Sequence, residues 1–128
     1  IDTVKDCLFA YSEMMPAVNC NKDEMYAAAK QGYATATDLA DYLVKQGMAF
    51  RDAHEVVGKS VAFGIEQKKD LADLSLAELQ NFSDLITEDV FEVLTLEGSI
   101  SARDHIGGTA PSQVLAAVAT AKTDISKR

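Results

Sequence analysis

The sequence predicts an all-α protein, in which the end of a long bundle helix is followed by a small domain of short helices in helix-turn-helix pairs. Helix start and stop signals succeed one another at short intervals through most of the chain. No segment shows the sustained alternation of period two that is typical of a half-buried strand. Near the N-terminus, apolar residues recur at alternating spacings of three and four, at Ile1, Val4, Leu8, Tyr11, Met15 and Val18.

Residues 1–18 are predicted to form the end of that long helix, because their spacing is typical of a helix that packs lengthwise against another. Pro16 disfavours the helical conformation at Met15, so the helix is expected to stop near Met14 or Met15. No capping residue precedes the pattern, which predicts that more helix lies upstream. We therefore expect two parts: residues 1–18 as the end of a central-bundle helix and residues 19–128 as a C-terminal helical domain.

Two shorter helices are predicted next. Asn21 is placed to cap a helix over residues 22–30. Thr35 or Thr37 is expected to start the following helix, and Gly47 to end it. One face of this third helix is apolar and carries Ala36, Leu39, Ala40 and Leu43.

A fourth helix is predicted over residues 50–68. Gly58 and Gly64 lie inside it, and each costs up to about 1 kcal/mol of helix propensity relative to alanine. At Gly58 two interpretations stay open, simple tolerance or the close approach of a second helix. At Gly64 we expect simple tolerance. The expected core-facing stripe consists of Phe50, Ala53, Val57, Val61 and Ile65.

Further short helices are expected before the C-terminus. Ser75 and Glu78 match the capping box S-x-x-E, so a helix should begin directly after Ser75. Thr87 is expected to cap a helix over residues 88–94, and residues 96–103 to form one or two more turns.

The last helix follows a break at Gly107 and Gly108. Thr109 is expected to cap it, with Pro111 in the first turn, where a missing N–H group costs nothing. Its apolar residues are expected to form a buried face, made of Val114, Leu115, Val118, Ala121 and Ile125.

Composition excludes several classes of protein. The net charge of −8, from 12 basic and 20 acidic side chains, argues against nucleic acid as a partner. No apolar run approaches the length of about 20 residues that crosses a bilayer. Cys7 and Cys20 lie in no C-x-x-C or histidine-rich cluster, so we expect reduced thiols in a cytoplasmic protein without a zinc or redox site.

Two groups of polar residues could suggest chemistry, and each has a simpler explanation. A histidine such as His54 can serve as a general base, but no second catalytic group except Glu55 and Arg51 lies at helical spacing from it, so a packed structural histidine is expected. Asp38 and Asp41 share a helix face, but capping and solvation explain both, since Asp41 can pair with Lys45 in the favourable i,i+4 order.

Two further features could bind a ligand or a partner: the start of the last helix and Arg51. The turn at residues 107–109 offers N–H groups at a helix N-terminus, which can bind an anion, but no phosphate-loop motif surrounds it and a structural cap is expected. Arg51 opens the fourth helix, where a cation opposes the helix dipole. It is expected to pair with Asp52, with Glu55 or with a carboxylate of a neighbouring subunit.

Residues 31–61 read QGYATATDLADYLVKQGMAFRDAHEVVGKSV, and residues 107–111 read GGTAP at the start of the last helix. Both stretches resemble the C-terminal domain of argininosuccinate lyases, which belong to the fumarase/aspartase superfamily. The likeness extends from about Ile1 to Lys122. The family's catalytic loop, G-S-S-x-M-P-x-K-x-N-P, is found nowhere in the 128 residues.

The resemblance implies a parent enzyme that splits argininosuccinate into arginine and fumarate by β-elimination, in arginine biosynthesis. It implies no metal or organic cofactor, and a homotetramer whose active sites each combine regions of three subunits. The family's catalytic histidine lies in a T-x-x-H motif that neither His54 nor His105 matches. We therefore assign no catalytic, cofactor-binding or metal-binding residue to this chain, and expect substrate binding only in the full-length parent.

Two hypotheses about function follow. The first is that the chain is the C-terminal segment of an argininosuccinate lyase, inactive alone, which contacts the other subunits through the helix in residues 1–18. The second is an autonomous helical module that uses the same helix to dimerise or to bind a partner, without enzymatic activity. A non-catalytic use of the fold as a lens protein is also known in the superfamily, so the parent's activity stays open here.

Overall fold

The computed structural model describes residues 1–127, and this range contains eight α-helices, two 3₁₀ turns and no strand. The prediction of an all-α fold is therefore confirmed. The 3₁₀ turns are Met15–Ala17 and Leu71–Asp73. In chain order the helices are α1 (Asp2–Met14), α2 (Lys22–Lys30), α3 (Ala36–Lys45), α4 (Phe50–Gln67), α5 (Leu76–Gln80), α6 (Val90–Val93), α7 (Leu96–Ser101) and α8 (Pro111–Ser126).

The core forms around the helix-turn-helix pair α3 and α4, against which α6 and the second 3₁₀ turn pack. All buried residues of the described range lie between Thr35 and Ala110, and residues 1–32 and 111–127 contain none. The predicted division at residue 18 stays a prediction, since burial shows only where this chain packs against itself. The largest fully buried apolar side chains of the core are Leu39, Leu43, Leu71, Leu74, Leu79, Ile86, Val90 and Leu94.

The turn between α3 and α4 is set by backbone geometry. Gly47 has a φ of +99°, which a residue without a Cβ adopts readily. Its N–H donates to the carbonyl of Val44 over 2.9 Å, and the N–H of Met48 donates to Leu43 over 3.0 Å. These two bonds form a Schellman motif, so the prediction that Gly47 ends this helix is confirmed.

The stripe predicted for α4 is partly wrong. Ala53 and Val57 are buried as expected, but Phe50 and Ile65 are 62% and 60% exposed. The buried face of α4 continues instead through Ser60 and Gly64. A search for large apolar residues misses both, because one is polar and the other has no side chain. Ser60 is buried without penalty because its hydroxyl donates to the carbonyl of Val56 over 3.0 Å.

The structure decides between the interpretations left open at Gly58 and contradicts the one expected at Gly64. A Cβ on Gly58 would meet no atom within 4 Å, so no close helix crossing occurs there. A Cβ on Gly64 would lie 2.9 Å from the carbonyl oxygen of Lys69 and 3.0 Å from the Tyr33 ring. The tolerance expected at Gly64 is therefore wrong: the chain returns over this position, and Tyr33 donates its hydroxyl to the Lys69 carbonyl over 3.1 Å.

Several helix starts also differ from expectation. The capping box of Ser75 and Glu78 is confirmed, with both hydrogen bonds present. Thr87 does not cap α6, which follows Asp89 instead, and Thr109 does not cap α8, whose N-cap is Ala110. The cap of α7 was not predicted: the hydroxyl of Thr95 accepts from the N–H of Gly98 over 2.9 Å.

The terminal helices α1 and α8 differ in how well they match expectation. Helix α1 ends at Met14, as Pro16 predicted. Helix α8 has no buried face: Leu115 is 69% and Ile125 73% exposed, so that prediction is wrong. An apolar stripe indicates that a helix face favours a partner, but it does not indicate which chain supplies the partner.

Candidate functional site

The two α4 residues considered for chemistry, Arg51 and His54, are both exposed. The His54 ring lies 6.5 Å from that of Phe50, centroid to centroid. Across residues 1–127 Arg51 forms no ion pair, because Glu55 is held by Lys59 at 2.7 Å. The expected pairing of Arg51 with a neighbour on its own helix is therefore wrong, and the structure groups no catalytic set around His54.

Asp38 and Asp41 have very different surroundings, although they lie three residues apart on α3. Asp41 is exposed and forms no ion pair with Lys45, so that expected pair is absent from the structure. Asp38 is only 5% exposed, and its Oδ1 lies 3.1 Å from Nη2 of Arg103. Solvation does not explain Asp38, and the sequence interpretation missed this ion pair because its partner lies 65 residues away.

Arg103 connects three parts of the fold. Besides Asp38, its Nη1 donates to the carbonyl and, over 2.7 Å, to the hydroxyl of Ser99 in α7. Its own carbonyl accepts from the N–H of Ala110, immediately before α8. The guanidinium thus ties the start of α3 to the loop from which α8 leaves, beside a shallow cleft of about 410 Å³ that Asp41 and Glu92 also line.

The loop before α8 is tied to the first turn of that helix by side-chain hydrogen bonds. Oδ1 of Asp104 accepts from the hydroxyl of Ser112 over 2.8 Å and from Nε2 of Gln113 over 3.1 Å. These bonds, Ser112 first, lower the pKa of Asp104. A carboxylate of the chain itself therefore lies beside the first turn of α8 and bonds its side chains, although no side chain caps the helix backbone.

A second polar cluster joins α3 to the start of α6. The Tyr42 hydroxyl lies 2.9 Å from Oγ1 of Thr87 and donates to Oδ1 of Asp89 over 2.8 Å. The same Tyr42 oxygen accepts a hydrogen bond from the backbone N–H of Thr87 over 3.2 Å. The Thr87 hydroxyl, then Tyr42, lower the pKa of the Asp89 carboxyl. These hydrogen bonds hold the loop before α6 against α3, so we assign this cluster a structural role.

A third polar cluster connects the end of α4 with α5. Oε1 of Glu78 lies 2.8 Å from Nζ of Lys69, and Oε2 accepts from the backbone N–H of Ser75 over 2.7 Å and from its hydroxyl over 2.8 Å. The Lys69 ammonium, followed by these Ser75 groups, lowers the pKa of Glu78 to about 2, from an ordinary value of 4.5. The folded state therefore favours the ionised carboxylate.

Replacing Glu78 by glutamine is expected to lower stability at neutral pH and to have little effect near pH 2. Because the folded pKa lies below the unfolded one, the stabilisation is complete above about pH 4.5 and is lost as the pH falls towards 2. Urea unfolding of both proteins at several pH values measures this convergence. Glu66→Gln, at an exposed α4 position, is the control. If the loss of unfolding free energy in Glu78→Gln stayed the same down to pH 2, the ionised Glu78 carboxylate would not be its cause.

The helices α1 and α8 carry the largest exposed apolar faces. On α1 the predicted seam is open to solvent, with Val4, Leu8 and Tyr11 all 61–63% exposed. In residues 1–127 neither helix packs a buried side chain against the core. Such faces are typical of surfaces that contact another chain.

Other kinds of site find little support in the described part of the chain. Cys7 and Cys20 are exposed and unpaired. Across residues 1–127 no three metal-binding side chains cluster, and no helix combines the length and hydropathy of a membrane span.

Comparison with known proteins identifies the family. A family model described as argininosuccinate lyase C-terminal matches residues 33–101, which is more than half of the chain. The chain belongs to this argininosuccinate lyase family. The matched range coincides with most of the buried core, since it contains both α3 and α4. The resemblance of residues 31–61 is therefore confirmed.

Curated relatives extend the match beyond the core. An argininosuccinate lyase from Saccharophagus degradans is 61% identical over 128 residues, which is 100% of this chain and 27% of that protein. Another, from Alcanivorax borkumensis, is 64% identical over 122 residues, 95% of this chain and 26% of the relative. The chain thus spans about a quarter of the length of these family members.

Solved structures agree with the fold. A variant of EDDS lyase with bound fumarate matches 84% of this chain with a TM-score of 0.76 and 28% identity, over 23% of its own length. The same enzyme in complex with formate matches with a TM-score of 0.74 and 29% identity. Both are lyases of the same superfamily, so the helical arrangement is that of the family's C-terminal domain.

Proposed function

We propose that this chain is the C-terminal segment of an argininosuccinate lyase, whose parent cleaves argininosuccinate into arginine and fumarate by β-elimination. The observation that carries the proposal is identity of 61% and 64% to argininosuccinate lyases over all or nearly all of the chain. Arginine biosynthesis is then the pathway. The parent acts in the cytoplasm on a small-molecule substrate.

The segment's own role in the proposal is structural, and its 128 residues supply no catalytic, cofactor-binding or metal-binding group. The occupied polar groups support this role. Carboxylates that could serve as acids or bases are already engaged: Asp38 by Arg103, Glu78 by Lys69 and Asp89 by Tyr42. The segment packs beside the active-site cleft and shapes its outer wall.

We propose that residues 1–18 belong to the central helical bundle of a homotetramer, and that residues 19–128 form the C-terminal domain. The open seam of α1 supports the first assignment, because apolar side chains at heptad spacing favour contact with another helix. The concentration of buried residues between Thr35 and Ala110 supports the second.

A chimaera tests the activity of the parent. The N-terminal three-quarters of the Saccharophagus degradans lyase, joined to residues 1–128 of this chain in place of its own C-terminal region, should form tetramers and release fumarate from argininosuccinate. The relative truncated before that region is the control and should fail in at least one of these respects. A folded, tetrameric chimaera without activity would contradict the proposal.

The alternative is an autonomous helical module that dimerises or binds a partner through α1. The same open seam favours it, but the identity to lyases extends through the compact core as well as α1. The two functions are distinguished by the chimaera, because a module adapted to a different partner would not restore lyase activity. The lyase proposal is therefore preferred.

The substitution Leu8→Asp is expected to weaken self-association of the 128-residue chain while leaving its core folded. Leu8 is 63% exposed at the centre of the α1 seam, on a helix without buried residues, so a carboxylate there should act mainly on contacts between chains. Sedimentation over a range of concentrations measures association, and circular dichroism measures folding. Thr3→Asp, off the seam on the same helix, is the matched control; a wild-type chain that stays monomeric at high concentration would contradict the expectation.

A further inference from the structure

A cleft lies between α2 and the compact core. Its volume is about 450 Å³, within the usual range of about 300–1,000 Å³ for small-molecule sites. Helix α2 contributes Tyr26 and Lys30 to one wall, while the end of α4 and the following 3₁₀ turn contribute Lys68 and Asp73 to the other. Nothing in the proposed lyase function uses this cleft.

The charges around the cleft are mixed and nearly balanced. The lining contains Lys30, Lys68, Lys69, Asp70 and Asp73, and Lys69 is neutralised by Glu78 at 2.8 Å. The charges of Lys30 and Lys68 therefore balance those of Asp70 and Asp73, and one Asp70 oxygen also accepts from the N–H of Ala72 over 3.5 Å. A polyanion such as a nucleotide would be repelled by the aspartates, and a simple cation by the lysines.

The remaining lining is mostly apolar or aromatic, and its uncharged polar side chains are those of Gln31, Thr35 and Thr95. Leu94, Leu96 and the Tyr26 ring offer surfaces for an apolar or aromatic group. Thr35 also lines the cleft; it is 4% exposed, and its Oγ1 has no hydrogen-bond partner in the described structure. A buried hydroxyl without a partner costs free energy that a polar ligand atom could recover.

We propose that this cleft binds a free α-amino acid with a neutral apolar or aromatic side chain. The ligand's carboxylate lies against Lys30 and Lys68, and its ammonium group against Asp70 and Asp73. Its side chain packs on Tyr26 and the neighbouring leucines. This site goes beyond the lyase function and does not depend on it, because every residue involved belongs to this chain.

Binding to the complete 128-residue chain is measured by NMR with L-phenylalanine as the probe. Saturable shifts are expected for the amides of Gly32, Ala34 and Ala72, which line the cleft. 3-Phenylpropionate and 2-phenylethylamine, which each lack one of the two charges, should bind at least about tenfold more weakly, since each loses one pair of charge contacts. Equal binding of either, or no saturable shifts at millimolar L-phenylalanine, would overturn the proposal.

Charge reversal locates the site. Lys68→Glu and, on the opposite wall, Lys30→Glu should each weaken L-phenylalanine binding by about tenfold, because an attraction becomes a repulsion. Lys122→Glu makes the same change of charge in α8, outside the cleft, and should leave binding unchanged. If both cleft variants keep the wild-type fold and affinity, or if Lys122→Glu weakens binding as much, the assignment is wrong.

Discussion

Replacing Arg103 by methionine is expected to destabilise the folded chain by about 3 kcal/mol, because it leaves the buried carboxylate of Asp38 without its counter-charge. Asp38 is 5% exposed, so water solvates its carboxylate poorly, and its Oδ2 already lacks a partner in the described structure. The Arg103 side chain is 39% exposed, which places the expected loss at the lower end of the range for buried pairs. Urea unfolding at fixed protein concentration gives the free energy.

A double-mutant cycle separates the ion pair from the other contacts of Arg103. Adding Asp38→Asn to Arg103→Met removes the buried charge, so the double variant should recover part of the lost stability. Arg51→Met, at an exposed arginine of α4, is the matched control and should change the free energy of unfolding little. If the two losses simply added, the ion pair would not be the cause.

The substitution Gly64→Ala is expected to destabilise the chain by about 1–3 kcal/mol, the usual cost of overpacking a filled site. The new methyl group would lie 2.9 Å from the backbone oxygen of Lys69 and 3.0 Å from the ring of Tyr33. Neither can move freely, because the Tyr33 hydroxyl is bonded to that same Lys69 carbonyl. Thermal and urea unfolding measure the loss.

Gly58→Ala is the matched control on the same helix, and it should have the opposite sign. Its Cβ would meet no atom within 4 Å, so only helix propensity changes, and a gain of up to about 1 kcal/mol is expected. Equal effects of the two substitutions would show that neighbouring atoms do not distinguish the two glycines. A gain at Gly64 would contradict the close approach seen in the structure.

Local signals in the sequence predicted much of the fold. Pro16, Gly47 and the capping box at Ser75 each act on neighbouring residues, and each has the predicted effect. Periodicity likewise predicted that α3 buries Leu39 and Leu43. Signals of this kind depend only on chemistry within about one helical turn, so one sequence is sufficient to interpret them.

Some local signals failed, since neither Thr87 nor Thr109 caps a helix, but the larger failures involve contacts between distant segments. The environment of Gly64 depends on Tyr33, and that of Asp38 on Arg103. The stripe of α8 predicted an apolar face correctly, but not that this face has no partner among residues 1–127. Likewise, the cleft beside α2 could not be predicted, because its walls combine segments from three parts of the chain.

We propose that this segment belongs to a lyase but does not contain its reacting groups. The most direct test incubates the purified 128-residue chain with argininosuccinate and measures fumarate. The claim predicts no fumarate above the rate without protein, while the chimaera with the upstream region of a relative is active under the same conditions. Turnover by the chain alone, at a rate similar to that of an intact lyase, would contradict it.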